Sequence, residues 1–143
     1  KKINSGIFPG TRGGPLMNIV AAIAQCYLEA LDESFVEYIK QVIANAKAMC
    51  EVFNERGLKN QTNGTDSHII LVNLSDSKYS GREAADKLEA NGITVNKNGI
   101  PNDPRNFLET SGFRIGTAAE TTRGLKEADF KTIAHKICNL LDR

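Results

Sequence analysis

Residues 94–116 read TVNKNGIPNDPRNFLETSGFRIG. Two short strand-like pieces, Ile93-Thr94-Val95 and Phe113-Arg114-Ile115, flank a long polar loop that holds Asn96, Asn98, Pro101, Asn102, Asp103 and Pro104. Proline removes a backbone donor, and asparagine side chains compete for backbone partners, so punctuation this dense blocks regular structure. A long loop without secondary structure of its own is uncommon in a compact domain and is usually functional or disordered. Strands at both ends favour the functional alternative. Arg114 follows in a strand with Gly112 and Gly116 two residues away on either side, and alternation puts the three on one face. Glycines beside it would leave a slot in which the guanidinium could grip a carboxylate through two parallel hydrogen bonds. The plainer reading is a surface arginine beside two strand-breaking glycines.

Working outward, the 143 residues suffice for one domain with a core, and a hydrophobic fraction of 41% argues against disorder. Eighteen Lys and Arg against 17 Asp and Glu leave a formal net charge of +1, so no general attraction to nucleic acid or membrane is expected. Cys26, Cys50 and Cys138 are odd in number, far apart and set in apolar helical patterns. They read as reduced core residues of a cytoplasmic protein rather than a disulfide frame. Two histidines cannot build a histidine-rich metal cluster, and no apolar run is long enough to span a bilayer. The opening KKINSGIFPGTRGGP has no initiator Met and reads as the interior of a longer protein.

Residues 1–14 read as loop, and Pro15 suits the first position of a helix that carries Leu16, Ile19, Val20, Ile23 and Tyr27 on one face. Gly13-Gly14 before a helix N-terminus offers free N–H groups to an anion, although many helices begin after glycines and hold none. Ser34 with Glu37 reads as the capping box of a second helix of about six turns. That helix is striped by Ile39, Val42, Ile43, Ala46, Met49, Cys50 and Phe53 and ends at Gly57. Residues 58–67 suggest an edge strand. His68–Leu74 is a strand whose nearly unbroken apolar run predicts cover on both faces. His68 is a candidate site residue, or more simply a residue bonded at the strand's end through its backbone. Ser80 and Glu83 open another helix that stops at Asn91-Gly92, with Ala84, Ala85 and Leu88 inward. Thr117–Gly124 reads as a polar connector. The last helix buries Phe130, Ile133, Ala134, Ile137, Leu140 and Leu141 and leaves His135 at the boundary. The expected architecture is α/β, a small, mostly antiparallel sheet covered by helices, over residues 34–143. Residues 1–33 fall outside that plan and should pack on something beyond this chain.

The runs FPGTRGGPLMN, NAKAM, TDSHIILVNL, NGITVNKNGIPNDPR and TSGFRIGT, in this order and spacing, together resemble serine hydroxymethyltransferase of the bacterial type. The likeness covers nearly the whole chain and matches the C-terminal third of that enzyme. It implies the C-terminal small domain of the pyridoxal-phosphate-dependent aspartate-aminotransferase fold, fold type I, with residues 1–33 attached to the large domain. The implied activity interconverts serine plus tetrahydrofolate with glycine plus 5,10-methylenetetrahydrofolate, in a cytoplasmic homodimer with pyridoxal 5'-phosphate as cofactor.

By the same resemblance, Arg114 matches the arginine that holds the amino-acid carboxylate. Gly13 and Gly14 match the pair whose backbone reaches the cofactor phosphate of the neighbouring subunit. Asn98 matches a folate-contacting asparagine, and Asn106, Phe107 and Leu108 occupy a further folate-contacting stretch. The chain departs from the family at Arg12, usually Gln; at Asn18, commonly His; at Asn106-Phe107-Leu108, usually Ser-Pro-Phe; and at Ala118, commonly Pro. No lysine here stands in the Thr-His-Lys motif that carries the cofactor. The resemblance therefore implies no catalytic residue in this stretch and no activity for it alone. A free-standing α/β interaction module, or another fold type I enzyme such as a threonine aldolase, are the alternatives. The Asn-Lys-Asn loop argues against the aldolase, which has no folate to meet.

Overall fold

The computed structural model describes residues 1–143, which divide into two compact units, Lys1–Val36 and Glu37–Arg143. The first unit contains α1 (Lys2–Ser5), a π-type turn at Gly6–Thr11 and α2 (Met17–Ala30). The expected loop over residues 1–14 is thus partly coiled. The helix expected to start at Pro15 starts two residues later, with Leu16 in extended backbone as its N-cap and no side chain capping it. No residue of this unit is buried. Leu16, Met17, Ile19, Val20, Ile23, Tyr27 and Leu28 all stand exposed along α2. Cys26 is exposed as well, which corrects its reading as a core residue: an apolar helical stripe covers a cysteine only where something packs on it.

The long helix α3 (Glu33–Glu55) begins one residue earlier than expected. Asp32, not Ser34, caps it, its Oδ1 accepting the Ser34 N–H at 2.8 Å. At the other end Gly57 takes φ 71°, and the Leu58 N–H closes back on the Phe53 carbonyl at 2.8 Å. From Val42 on, the helix buries Val42, Ala46, Met49, Cys50 and Phe53. Ala46, Met49, Cys50 and Phe53 meet Ile70, Val72, Phe113 and Ile115 of the sheet, Ala84 and Leu88 of α4 (Gly81–Glu89), and Phe130, Ala134, Ile137 and Cys138 of α6 (Glu127–Leu140). Each fully buried side chain of this size contributes about 1.5–3 kcal/mol.

The sheet has three antiparallel strands in the order β1 (Ile69–Asn73), β3 (Gly112–Gly116), β2 (Asn96–Asn98), so the last strand in sequence is central. Alternation sends Ile70, Val72, Phe113 and Ile115 into the core. The other face is not covered as β1's apolar run suggested: Ile69 and Leu71 are only half-buried, and Arg114 and Gly116 are exposed. Ladder pairing also moves β2 from the expected 93–95 to 96–98, because Asn96 faces Arg114 and Asn98 faces Gly112. Ile93 and Val95 pack against the core as an extended approach to that strand instead. The edge strand expected within 58–67 reduces to a single bridge, Asn60 with Val72.

The connector after β3 folds into a short helix, α5 (Ala118–Thr122). Buried Asn45 of α3 secures it, donating to Thr121 Oγ1 at 2.8 Å and to the Leu125 carbonyl at 3.1 Å. Thr117 Oγ1 donates to the Val42 carbonyl at 2.9 Å, so the end of β3 is tied to α3 by buried, satisfied polar groups. No helix is long and apolar enough to cross a membrane.

Candidate functional site

The open face of the sheet is built from three cross-strand rows. Leu71, Arg114 and Asn96 lie side by side in one; Asn73, Gly112 and Asn98 form the next; Ile69 and Gly116 form the third. Arg114 is therefore central, with an apolar neighbour on one side and an amide on the other. Every other arginine of the second unit has partners. Arg56 bonds Asn139, Arg82 faces Asp86 and Glu109, Arg105 reaches Leu74 and Ser111, Arg123 pairs with Glu120, and Arg143 reaches the Asp76 carbonyl. Arg114 has neither an ion pair nor a side-chain hydrogen bond, and it is exposed.

The two glycines beside it differ. A Cβ on Gly116 would meet only the His68 carbonyl at 3.6 Å and the His68 ring at 4.0 Å, so space remains on that side. A Cβ on Gly112 would lie 2.5 Å from the Val72 carbonyl oxygen and 2.9 Å from Ile100 Cγ2. The slot expected on both sides of Arg114 is thus open only toward Gly116. At Gly112 the loop's own Ile100 lies over the strand. His68 is exposed, and its carbonyl accepts the Thr117 N–H at 3.0 Å.

The loop over residues 99–111 is folded on itself. The Asp103 carboxylate accepts three backbone N–H groups: Ile100 at 3.1 Å and Ser111 at 2.9 Å on Oδ2, and Arg105 at 2.9 Å on Oδ1. Desolvation pushes its pKa up, but hydrogen bonds from Ser111, Arg105 and Ile100 outweigh that and hold it down at about 2. Arg105 donates to the carbonyls of Leu74 at 3.3 Å and Ser77 at 3.2 Å and to Ser111 Oγ at 3.2 Å, fastening the loop to the turn after β1. Asn106 Oδ1 accepts from Leu108 N at 2.9 Å and Glu109 N at 3.2 Å, which makes a capped turn of residues 106–110. Lys97 Nζ reaches the carbonyls of Phe107 and Leu108, whose side chains project into solvent, 88% and 66% exposed. Asn98 turns its amide onto the Gly99 carbonyl at 2.7 Å. At the loop's end the carbonyls of Thr110 and Glu109 accept the first N–H groups of α4, Gly81 at 2.9 Å and Arg82 at 3.0 Å.

Of the residues singled out from sequence, the structure brings Arg114, Asn98 and the 106–108 turn onto one strand pair and its connecting loop. Gly13 and Gly14 lie in the first unit, exposed before the uncapped N-terminus of α2, and a Cβ built on either meets nothing within 4 Å. The sequence marks Asp103 only as part of the loop's punctuation and does not single out Arg105. The Asp two residues before Arg105 is a recognisable side-chain-to-backbone turn signal; nothing local announces where the Arg105 guanidinium goes. The buried cysteines do not join any site: burial first, and then Glu51, raises Cys50 to about 11, and burial raises Cys138.

The family model for serine hydroxymethyltransferase matches residues 1–137. The chain is 53% identical over 142 residues to serine hydroxymethyltransferase 1 of Pseudomonas aeruginosa, covering 99% of this chain and 34% of that protein. It is 50% identical to the serine hydroxymethyltransferase of Ehrlichia chaffeensis and 51% identical to that of Rickettsia akari, each over 142 residues with the same coverage. The chain therefore spans about a third of the length of these relatives, and from the family match together with identities of this size over nearly all of its residues, it belongs to the serine hydroxymethyltransferase family.

Proposed function

We propose that this chain is the C-terminal part of a glycine/serine hydroxymethyltransferase, a pyridoxal-phosphate-dependent enzyme that moves the hydroxymethyl carbon of serine to tetrahydrofolate. The bound cofactor supplies an electron sink for bonds broken at the amino-acid α-carbon. The lysine that carries it belongs to the remainder of the polypeptide, so the chain alone has no transferase activity. Residues 34–143 correspond to the small domain of the fold type I architecture, in a cytoplasmic homodimer. The exposed apolar stripe of α2 supports the view that the first unit packs on the rest of the enzyme.

Arg114 binds and orients the amino-acid carboxylate. The observation that carries this reading is its guanidinium: without a partner, on the open sheet face, beside Asn96 and next to the space over Gly116. A carboxylate there would gain two charge-assisted bonds, and holding it fixes the α-carbon relative to the cofactor. Gly13 and Gly14 fit a phosphate of the neighbouring subunit's cofactor. Their N–H groups precede an uncapped helix start, and no side chain obstructs approach. Asn98 and the Asn106-Phe107-Leu108 turn receive the folate, the exposed Phe107 and Leu108 offering apolar surface beside carbonyls and amides.

In the full-length enzyme Arg114→Ala should weaken serine binding by about a hundredfold, the loss expected for a charge-assisted pair of bonds. Arg114→Lys should recover only part of it, since a point charge does not reproduce the fork. Serine affinity unchanged in Arg114→Ala would refute the assignment.

A further inference from the structure

We propose that Asp103 is a positioning residue that holds residues 99–111 in the shape that receives folate before any folate binds; this rests on the folate reading of the same loop. The loop joins two neighbouring strands yet has no ladder of its own. Two of its residues, Pro101 and Pro104, have no N–H to offer. One carboxylate replaces the missing ladder. Its Oδ2 draws together Ile100 and Ser111, eleven residues apart and at opposite shoulders of the loop, while Oδ1 takes Arg105. Ser111 is fully buried, so its N–H must find a partner inside the protein. Ile100, held by the same oxygen, is the side chain that lies over Gly112. The clamp thus fixes the shoulder beside Asn98 and the far end of the loop at Ser111. Arg105, kept in the turn by Oδ1, spends its donors on Leu74, Ser77 and Ser111 and anchors the clamp to the turn after β1.

A loop already in its binding shape loses little conformational freedom when the ligand arrives. Without Asp103 the three N–H groups lose their acceptor and the loop populates other shapes. Apparent affinity then falls by the fraction of molecules still correctly shaped. Arg114 is held by the β1 and β2 ladders, not by the clamp, so serine binding is spared.

The test is calorimetric titration of the full-length enzyme and its Asp103→Ala and Asp103→Asn variants with tetrahydrofolate and, separately, with serine. Asp103→Ala should bind tetrahydrofolate about tenfold or more weakly, with serine affinity within about twofold of the parent. Asp103→Asn should fall between, because its single oxygen can still accept both Ile100 and Ser111 while its amide opposes the Arg105 N–H. A merely structural role would weaken both ligands in step, and that outcome overturns the proposal. So does unchanged tetrahydrofolate affinity in Asp103→Ala. Should Asp103→Ala fail to fold, Asp103→Asn decides: a loss of about threefold confined to tetrahydrofolate supports the clamp, and no loss overturns it. A parent enzyme that binds serine but no tetrahydrofolate would defeat the folate reading itself, and the clamp proposal with it. A parent that binds folate beside unaffected variants defeats the clamp alone.

Discussion

Gly112 and Gly116 share one strand and one face, and the structure assigns them opposite sensitivities to the same added methyl. At Gly112 an alanine Cβ would lie 2.5 Å from the Val72 carbonyl oxygen, 2.9 Å from Ile100 Cγ2 and 3.1 Å from the Asn98 carbonyl oxygen. Ile100 could yield. The two carbonyls cannot move independently, because both belong to strands paired with β3 on either side. Relief therefore requires β3 to shift against its neighbours, a strain at the upper end of the overpacking range, about 3 kcal/mol or more. That is a large share of the stability of an ordinary domain. At Gly116 the nearest atoms stand at 3.6 and 4.0 Å, which is ordinary contact. There, alanine restricts the unfolded chain without a clash, so stability should hold or rise by up to about 1 kcal/mol. Urea unfolding of the full-length enzyme, followed by a probe in the Glu37–Arg143 unit, measures both variants against the parent. Equal midpoints for Gly112→Ala and the parent, or equal losses for the two variants, would refute the steric reasoning.

Ser80→Ala removes the acceptor of the Glu83 N–H, breaks the capping box that opens α4, and releases the bond from Ser80 Oγ to Glu109 at the end of the loop. A loss of about 1–2 kcal/mol is expected in the same unfolding assay. Asp103 also sets a pH dependence. Its folded carboxyl is held at about 2, below its ordinary value of 3.8, so its contribution is fully present only where the pH stands well above 3.8. As pH falls from there toward about 2 the unfolded chain takes up the proton first, and the contribution is lost. Other carboxylates fall in the same range, so the informative quantity is the difference between parent and Asp103→Asn, which should shrink over that window.

Much of the second unit was legible in the chain because its signals are local. The capping box at Ser80 and Glu83, the positive-φ stops at Gly57 and Gly92, and the 3.6-residue stripes of α3 and α6 each depend on neighbours a few positions away. The family likeness rested on runs of adjacent residues for the same reason. What failed depended on partners distant in sequence. Cys26 looked interior because periodicity reports which face is apolar, not whether anything covers it. The strand at 93–95 slid to 96–98 because a strand exists only where another offers its ladder.

The sequence by itself thus determined the helices α2, α3, α4 and α6, the stops of α3 and α4, the family, and the identity of Arg114 as the residue to watch. Only the tertiary structure decided that β3 is central, that Arg114 alone among its unit's arginines lacks a partner, that Gly112 admits Ile100 rather than a ligand, and that Asp103 ties the loop closed. The division is physical. Turn and helix chemistry is settled within a few residues of chain, whereas a guanidinium's freedom and a carboxylate's three N–H partners depend on which distant backbone groups the packed core brings within 3 Å or so.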